Sequence, residues 1–369
     1  MMQDTKPTGF RGARTILIVL EEKKNGWDVE EKEGELNDLA RSCGLNVVET
    51  KIVKQKIPSP ATYLSKGKIE FIGEIVTQEK ANLLVFDREL SPAQQRNLRD
   101  VIGIRVIDRT SLILEIFAQH AHSRSGKLQV ELAQLNYLLP RLTGRGVLLS
   151  RLGGGIGTRG PGEMKLEIDR RRIRQRITKL NKEIKGLEKH RKILRERREK
   201  RNFPLISLVG YTNVGKSTLL NALCKKKNVY VDNRLFSTLD PRTRVVYLPD
   251  GRKALFTDTV GLLHNLPHHL ITAFKTTLEE LRYSTLLLNL LDASSPLIEQ
   301  QNETALSTLE DLEIEEKPIL TVLNKKDLIK NEFLLKRLKR RFPDGIFISA
   351  ITGEGLEELK EKIANNLII

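Results

Sequence analysis

Three short strings in the C-terminal half of the chain have the residue types and spacing to hold a nucleoside phosphate and cleave it. The first comprises Gly210, Tyr211, Thr212, Asn213, Val214, Gly215, Lys216 and Ser217, in the pattern G-x-x-x-x-G-K-[ST], with Thr218 directly after it. An apolar run precedes it and a helical stretch follows. A row of backbone N–H groups therefore meets a helix N-terminus, where an anionic phosphate is stabilised, and the glycines let the backbone close around it. Lys216 would reach the β- and γ-phosphates, and the Ser217 hydroxyl would ligand Mg²⁺. The second string is Asp258, Thr259, Val260 and Gly261, directly after the apolar run Ala254–Thr257. A carboxylate there can hold the magnesium ion through water, and the Gly261 N–H can meet the γ-phosphate. The third is Asn324, Lys325, Lys326 and Asp327. An Asp carboxylate accepts two N–H bonds from a guanine edge, which adenine cannot supply, while Asn324 and the Lys325 stem support the ring. Ser349, Ala350 and Ile351 end the next apolar run, where a backbone N–H can meet guanine O6. Each string alone is common. In this order and spacing they specify guanine.

Hydrolysis needs two further parts. A threonine between the phosphate loop and Asp258 must ligand Mg²⁺ and sense the γ-phosphate. Thr238 and Thr243 are the candidates, and spacing alone does not choose between them. Leu262 follows Gly261, where many GTPases carry a water-orienting Gln. An apolar side chain cannot orient the nucleophile, so slow turnover is expected unless a partner or ion completes the site.

The elements that must position these residues follow from composition and pattern. With 369 residues, 39% apolar and 30% charged, the chain is long enough for two or three domains with buried cores. It has no apolar run of membrane-spanning length, no apolar N-terminal leader before Arg14, and two cysteines, Cys43 and Cys224. A cytoplasmic protein is expected. Residues 1–108 alternate short apolar runs (Thr15–Leu20, Leu45–Glu49, Ala81–Phe86, Ile104–Asp108) with helix-length stretches, the pattern of a small parallel α/β sheet. Ser91-Pro92 is a helix start, an N-cap followed by proline at the first helical position. Residues 109–202 carry a seam. Leu128, Leu132, Leu135 and Leu139, then Ile173, Ile177, Leu180, Ile184, Leu187 and Leu194, with Arg191 in one expected apolar slot, recur at coiled-coil spacing on either side of a glycine-rich break at 152–163. An antiparallel helical hairpin with that break at its tip is expected. Residues 203–369 return to strand–helix alternation, with helices starting near Lys216, Pro267, Pro296, Leu328 and Leu356. The formal net charge is +16, and residues 165–201 hold 17 basic and 6 acidic residues. A merely solvated helix would mix signs, so the imbalance points to RNA phosphates, with Arg141, Arg145, Arg151 and Arg159 in or near the tip. His120-Ala-His122 and His268-His269 lack the further ligands of a metal site.

The nucleotide strings mark a P-loop GTPase. Asn213 is similar to the residue that helps hold K⁺ in potassium-assisted GTPases, plain loop shaping being the other reading. Further strings, Gly153–Glu163, Phe236–Pro241, Leu266–His268 and Ser91–Arg96, join Asp258–Gly261 in resembling the HflX family of ribosome-associated GTPases. The resemblance covers nearly the whole chain. It implies an α/β fold: a P-loop G domain preceded by a small parallel α/β domain and a long antiparallel hairpin. It implies GTP or GDP with Mg²⁺ as ligands, and Lys216, Thr238, Gly261 and Asn213 as catalytic groups. It favours Thr238 over Thr243, makes Ser217 and Thr238 the metal ligands, and puts Phe236, Ser237, Leu239 and Asp240 against the nucleotide. As partner it implies the large ribosomal subunit, with the hairpin tip near the peptidyl-transferase region and ribosome dissociation or rescue under stress as the role. Met164 departs from the Thr usual after the Gly-Glu pair, and the sequence ends just after the last G-domain helix. Residues 1–108 show no phosphate-loop motif, so no ATP site is assigned there. Two rivals remain: an RNA-binding assembly checkpoint that never splits ribosomes, and a membrane-surface GTPase, weakened because the apolar residues form a narrow seam.

Overall fold

The computed structural model describes residues 10–21, 28–55, 57–142, 161–199, 203–224, 242–263, 270, 279–314 and 316–367. By internal packing the chain forms two compact units, residues 1–119 with 127–186 and residues 120–126 with 187–369.

The first unit is built on β1 (Arg14–Glu21), β2 (Asn46–Lys54), β3 (Leu83–Phe86) and β4 (Arg105–Asp108), all parallel, in the order β2-β1-β3-β4. Between them run α1 (Val29–Ser42), α2 (Lys66–Gln78) and α3 (Pro92–Ile102). β1 shows why the sheet is parallel and covered on both faces. Ile16, Ile18 and Leu20 join Ile69, Ile72, Leu84, Phe86 and Leu98 in one core cluster, while Leu17 and Val19, pointing the other way, are equally buried. The expected start of α3 is present: Ser91 Oγ accepts from Gln94 N at 3.1 Å and Gln94 Oε1 accepts from Ser91 N at 2.9 Å, a capping box.

Three helices follow, α4 (Arg109–His120), α5 (Arg124–Arg141) and α6 (Pro161–Glu199). The seam behaves as its spacing requires. Leu128, Leu132, Leu180 and Ile184 are buried, and Ile173, Ile177 and Leu187 are half-buried. Arg176 grips Glu131 through two charge-assisted bonds of 2.6 and 2.7 Å, which ties α6 to α5. The burial of α5 extends beyond the seam. Val130, Ala133 and Tyr137, off the seam, are buried as well, and Tyr137 Oη donates to Asp108 at 2.7 Å. Thus α5 buries two faces and packs with the first sheet. The glycine-rich string up to Gly160 lies outside the described residues.

The second unit holds β5 (Leu205–Gly210), β6 (Arg242–Tyr247), β7 (Lys253–Asp258), β8 (Leu286–Asp292), β9 (Ile319–Asn324) and β10 (Ile346–Phe347), in the order β10-β9-β8-β5-β7-β6. Every pairing is parallel except β6 with β7. Its helices include, among the described residues, α7 (Lys216–Leu223), α8 (Ile298–Asp311), α9 (Glu332–Arg341) and α10 (Leu356–Asn366). The helix expected near Leu328 begins at Glu332, because a single 3₁₀ turn at Lys326–Leu328 and an Asn331 cap come first. The one expected at Pro267 falls outside the described residues. No described helix is long and apolar enough to cross a membrane.

Candidate guanine-nucleotide site

The carboxyl ends of β5, β7, β8, β9 and β10 open on one edge of the second sheet, where loops rather than strands decide what can bind. β5 ends at Gly210, and the following loop turns into α7 through Gly215, at φ +94°. A Cβ at Gly215 would overlap the Asn324 side-chain amide, so only glycine lets the loop lie against β9. Asn213 also has positive φ, +63°, and its side chain is exposed. Lys216 is buried, with Nζ donating to Gly210 O at 2.9 Å and Tyr211 O at 2.7 Å. Burial lowers its pKa to about 8, with Asp258 pulling the other way. The ammonium is therefore held inside the loop by carbonyls that a phosphate oxygen would outbid.

The second string runs beside the first. Thr212 N donates to Leu262 O at 2.9 Å and Leu262 N to Gly210 O at 3.1 Å, a short bridge between the two loops. Gly261 sits under this bridge; a Cβ there would crowd Thr212 and lie 3.3 Å from Lys216 Nζ. Thr259 Oγ1 donates to Leu208 O at 2.6 Å, which fixes the segment to β5, and Val260 is buried. Ser217 Oγ donates to Asp258 Oδ2 at 2.5 Å, so the hydroxyl and the carboxylate meet at the foot of the loop. Leu262 turns into the core, 3% exposed, beside Val209, Leu281, Leu287, Ala305 and Leu309. It is a packing residue, which explains physically why it cannot face a nucleophilic water.

The third string serves two ends. Asn324 Nδ2 donates to Val214 O at 2.8 Å, and Asn324 Oδ1 accepts from Ala350 N at 3.0 Å. One amide thereby ties the phosphate loop to the Ser349-Ala350 loop. Lys325, at φ +64°, pairs with Asp292 at 2.6 Å, and Lys326 pairs with Glu354 at 2.5 Å. Asp327 is exposed and has no hydrogen bond or ion pair among the described residues, which leaves both carboxylate oxygens open to an incoming donor pair. Ser349 is buried, with its Oγ accepting from Thr352 N at 3.1 Å, and Ile351 is 78% exposed. Asp292 was not anticipated; its signal is its place at the end of the run Leu286–Leu291, level with Asn324 in the sheet.

Of the two switch candidates, Thr243 lies in β6 with its hydroxyl 2.9 Å from that of Thr257, committed to the sheet. Thr238, with Phe236, Ser237, Leu239 and Asp240, lies outside the described residues. A phosphate loop entering a helix, a carboxylate meeting its serine, and a base-reading loop at the end of β9 define a P-loop GTPase domain.

The comparisons make the assignment narrower. Residues 30–118 match the family model described as GTP-binding GTPase N-terminal, and residues 120–198 match GTP-binding GTPase Middle Region. Residues 205–325 match 50S ribosome-binding GTPase. The chain is 47% identical to GTPase HflX of Caldanaerobacter subterraneus subsp. tengcongensis, over 92% of this chain and 77% of that protein. It is 44% identical to that of Alkalihalophilus pseudofirmus over 99% and 85%, and 42% identical to that of Escherichia coli over 90% and 78%. Among solved structures it is similar to SsGBP in complex with GDP, 28% identical over 95% of this chain and 98% of that one, with a TM-score of 0.51. The chain belongs to the GTPase HflX family, binds guanine nucleotide and hydrolyses GTP.

Proposed function

We propose that this GTPase binds the large ribosomal subunit in its GTP form, dissociates or rescues ribosomes in the cytoplasm under stress, and is stimulated to hydrolyse GTP by the ribosome. One pairing carries the reading. A G domain matched by a family described as 50S ribosome-binding shares its chain with a 39-residue helix in the strongly basic stretch 165–201. That helix and the glycine-rich tip supply the surface for ribosomal RNA phosphates.

The chemistry is in-line attack by water on the γ-phosphate, so the protein contributes positioning and charge stabilisation. Lys216 exchanges its two loop carbonyls for β- and γ-phosphate oxygens, and the Gly261 N–H donates to the γ-phosphate. Ser217 and Thr238 would hold Mg²⁺, with Asp258 acting through water. The 2.5 Å meeting of Ser217 and Asp258 presents the hard oxygen donors this ion takes, and Mg²⁺ held there would supply charge neutralisation. Asn213 would help hold a K⁺ ion beside them. Asp327 reads the guanine edge, Ala350 N–H faces its O6, and Asn324 and Lys325 brace that loop. The segments around Thr238 and Asp258–Leu262 order around γ-phosphate and relax on hydrolysis. Splitting follows if the GTP form prefers the free large subunit to the assembled ribosome, since only a differential affinity can shift that equilibrium.

Sucrose-gradient sedimentation with assembled ribosomes, in GTP, a non-hydrolysable analogue and GDP, tests this. Co-migration of the analogue form with large subunits, as assembled ribosomes decline, is the expected result. Co-migration with immature particles alone would replace the proposal with an assembly checkpoint. Protein left at the top of the gradient in every state would sink the ribosomal reading.

A further inference from the structure

The string Ser91–Arg96 has no part in the nucleotide site, and its side chains show what it is for. Ser91 and Gln94 cap α3, Pro92 opens it, and Gln95 Nε2 donates to Val106 O at 2.9 Å. Arg96 alone among its polar residues has no hydrogen bond or ion pair among the described residues, although it is half-buried. It lines a groove of about 390 Å³ within the first unit, the size of a pocket for a small ligand.

The groove has a definite chemistry. Four of its lining residues are arginines, Arg96, Arg99, Arg105 and Arg141, and none is acidic. Arg96 and Arg99 stand one turn apart on α3. Among the described residues, the Arg99 side chain is held by a surface pair with its neighbour Asp100, a partner 48% exposed. Arg141 is fixed. Its guanidinium lies 3.5 Å from the Tyr137 ring centre, and it donates to Gln95 Oε1 at 3.0 Å, Leu90 O at 2.7 Å and Asp108 Oδ2 at 3.1 Å. Arg141, which leads toward the glycine-rich break in sequence, is thus committed to these partners. Pro92, Leu138 and Leu142 supply an apolar wall, and Leu138 is 45% exposed.

We infer that this groove receives one unstacked nucleotide of a single-stranded RNA segment, with its phosphate on Arg96 and Arg99 and its base against the wall of Pro92, Leu138 and Leu142. Single-stranded RNA is read through splayed bases packed against side chains beside arginine, and here Pro92, Leu138 and Leu142 offer an apolar face next to Arg96 and Arg99. A strand fits better than a free nucleoside triphosphate. The groove has two cations available for phosphate and no phosphate-loop motif, and its apolar wall can face a base. The inference rests on the ribosomal reading above and gives it a particular contact.

The test uses the full chain and a short single-stranded oligoribonucleotide carrying 4-thiouridine. Ultraviolet cross-links are expected on peptides of α3 or the end of α5. The double variant Arg96→Glu/Arg99→Glu should bind about tenfold more weakly, and its dependence of log affinity on log salt should flatten by about 0.7, the loss of one single-strand phosphate contact. Arg96→Gln alone should give about half that change. Basal GTP hydrolysis and melting temperature should stay unchanged, because both arginines lie outside the nucleotide site. Cross-links confined to α6, or an unchanged salt slope, would overturn the groove. A mononucleotide that competes as well as the oligonucleotide would overturn the strand. The two proposals fail separately. Lost large-subunit sedimentation with cross-links retained removes the ribosome and leaves the groove, and the reverse removes only the groove.

Discussion

The two parallel sheets of this chain treat their carboxyl edges in opposite ways. In the second unit that edge ends in loops that leave groups for an incoming ligand: an exposed Asp327, an exposed Asn213 at positive φ, and a lysine whose partners are two loop carbonyls. In the first unit the same edge is sealed. Asp108, at 0% exposure, accepts from Leu90 N, Ser111 N, Tyr137 Oη and Arg141 Nη2. Asp87 is 8% exposed and takes Leu20 N at 3.1 Å across from β3 to β1. The order β2-β1-β3-β4 puts the topological switch point between β1 and β3, where an open α/β sheet commonly binds its ligand. Here a carboxylate bridges it. One architecture thus yields a nucleotide site or a closed joint, according to what the strand-end loops carry, and function has to be read from those loops.

Breaking each edge should have different consequences. Lys216→Ala should lower GTP hydrolysis about a thousandfold, measured as single-turnover phosphate release, with the first unit's melting unaffected. Asp108→Ala should do the reverse. It strands Tyr137 and Arg141 and should destabilise the first unit by about 3–4 kcal/mol in urea unfolding, while GDP affinity stays level. Asp87 sharpens the contrast through pH. Burial, opposed by the Leu20 N–H and by Arg88, Arg109 and Lys32, raises its pKa from 3.8 to about 6. The folded state therefore favours the protonated form. Its stabilising contribution is complete below the unfolded value near 3.8 and lost as pH rises through about 6. Asp87→Asn should remove a fall of about 2–3 kcal/mol in stability between those limits, seen in unfolding curves across that range. The smallest effect concerns Leu262. Leu262→Gln should not speed hydrolysis, because the side chain enters the core, and should cost about 2 kcal/mol for the buried amide. A variant that hydrolyses faster would show that this segment can turn outward.

What the residues disclose in advance divides along the same line. The nucleotide strings are legible because loops at strand ends are short and their chemistry depends on contiguous residue types, so spacing alone brings Gly215, Asn324 and Ala350 together. The seam of α5 and α6 is legible from its period. The second buried face of α5 is not, since Val130, Ala133 and Tyr137 add nothing to a heptad and gain meaning only against Asp108. β6 escaped notice for a similar reason. Arg242–Tyr247 mixes charge with two exposed apolar residues, Val245 and Tyr247, as an edge strand does, and has no alternation toward a core. The sealing role of Asp87 and Asp108 is invisible too, because a carboxylate after a strand reads equally well as a ligand group.

The most direct measurement of the central claim is the GTP turnover of the purified chain, alone and with purified large ribosomal subunits, under single-turnover conditions. Slow hydrolysis is expected of the chain alone, because Leu262 is packed in the core, and an acceleration of about a hundredfold or more when large subunits are added. Fast hydrolysis by the isolated chain, or a rate that large subunits leave unchanged, would contradict the claim.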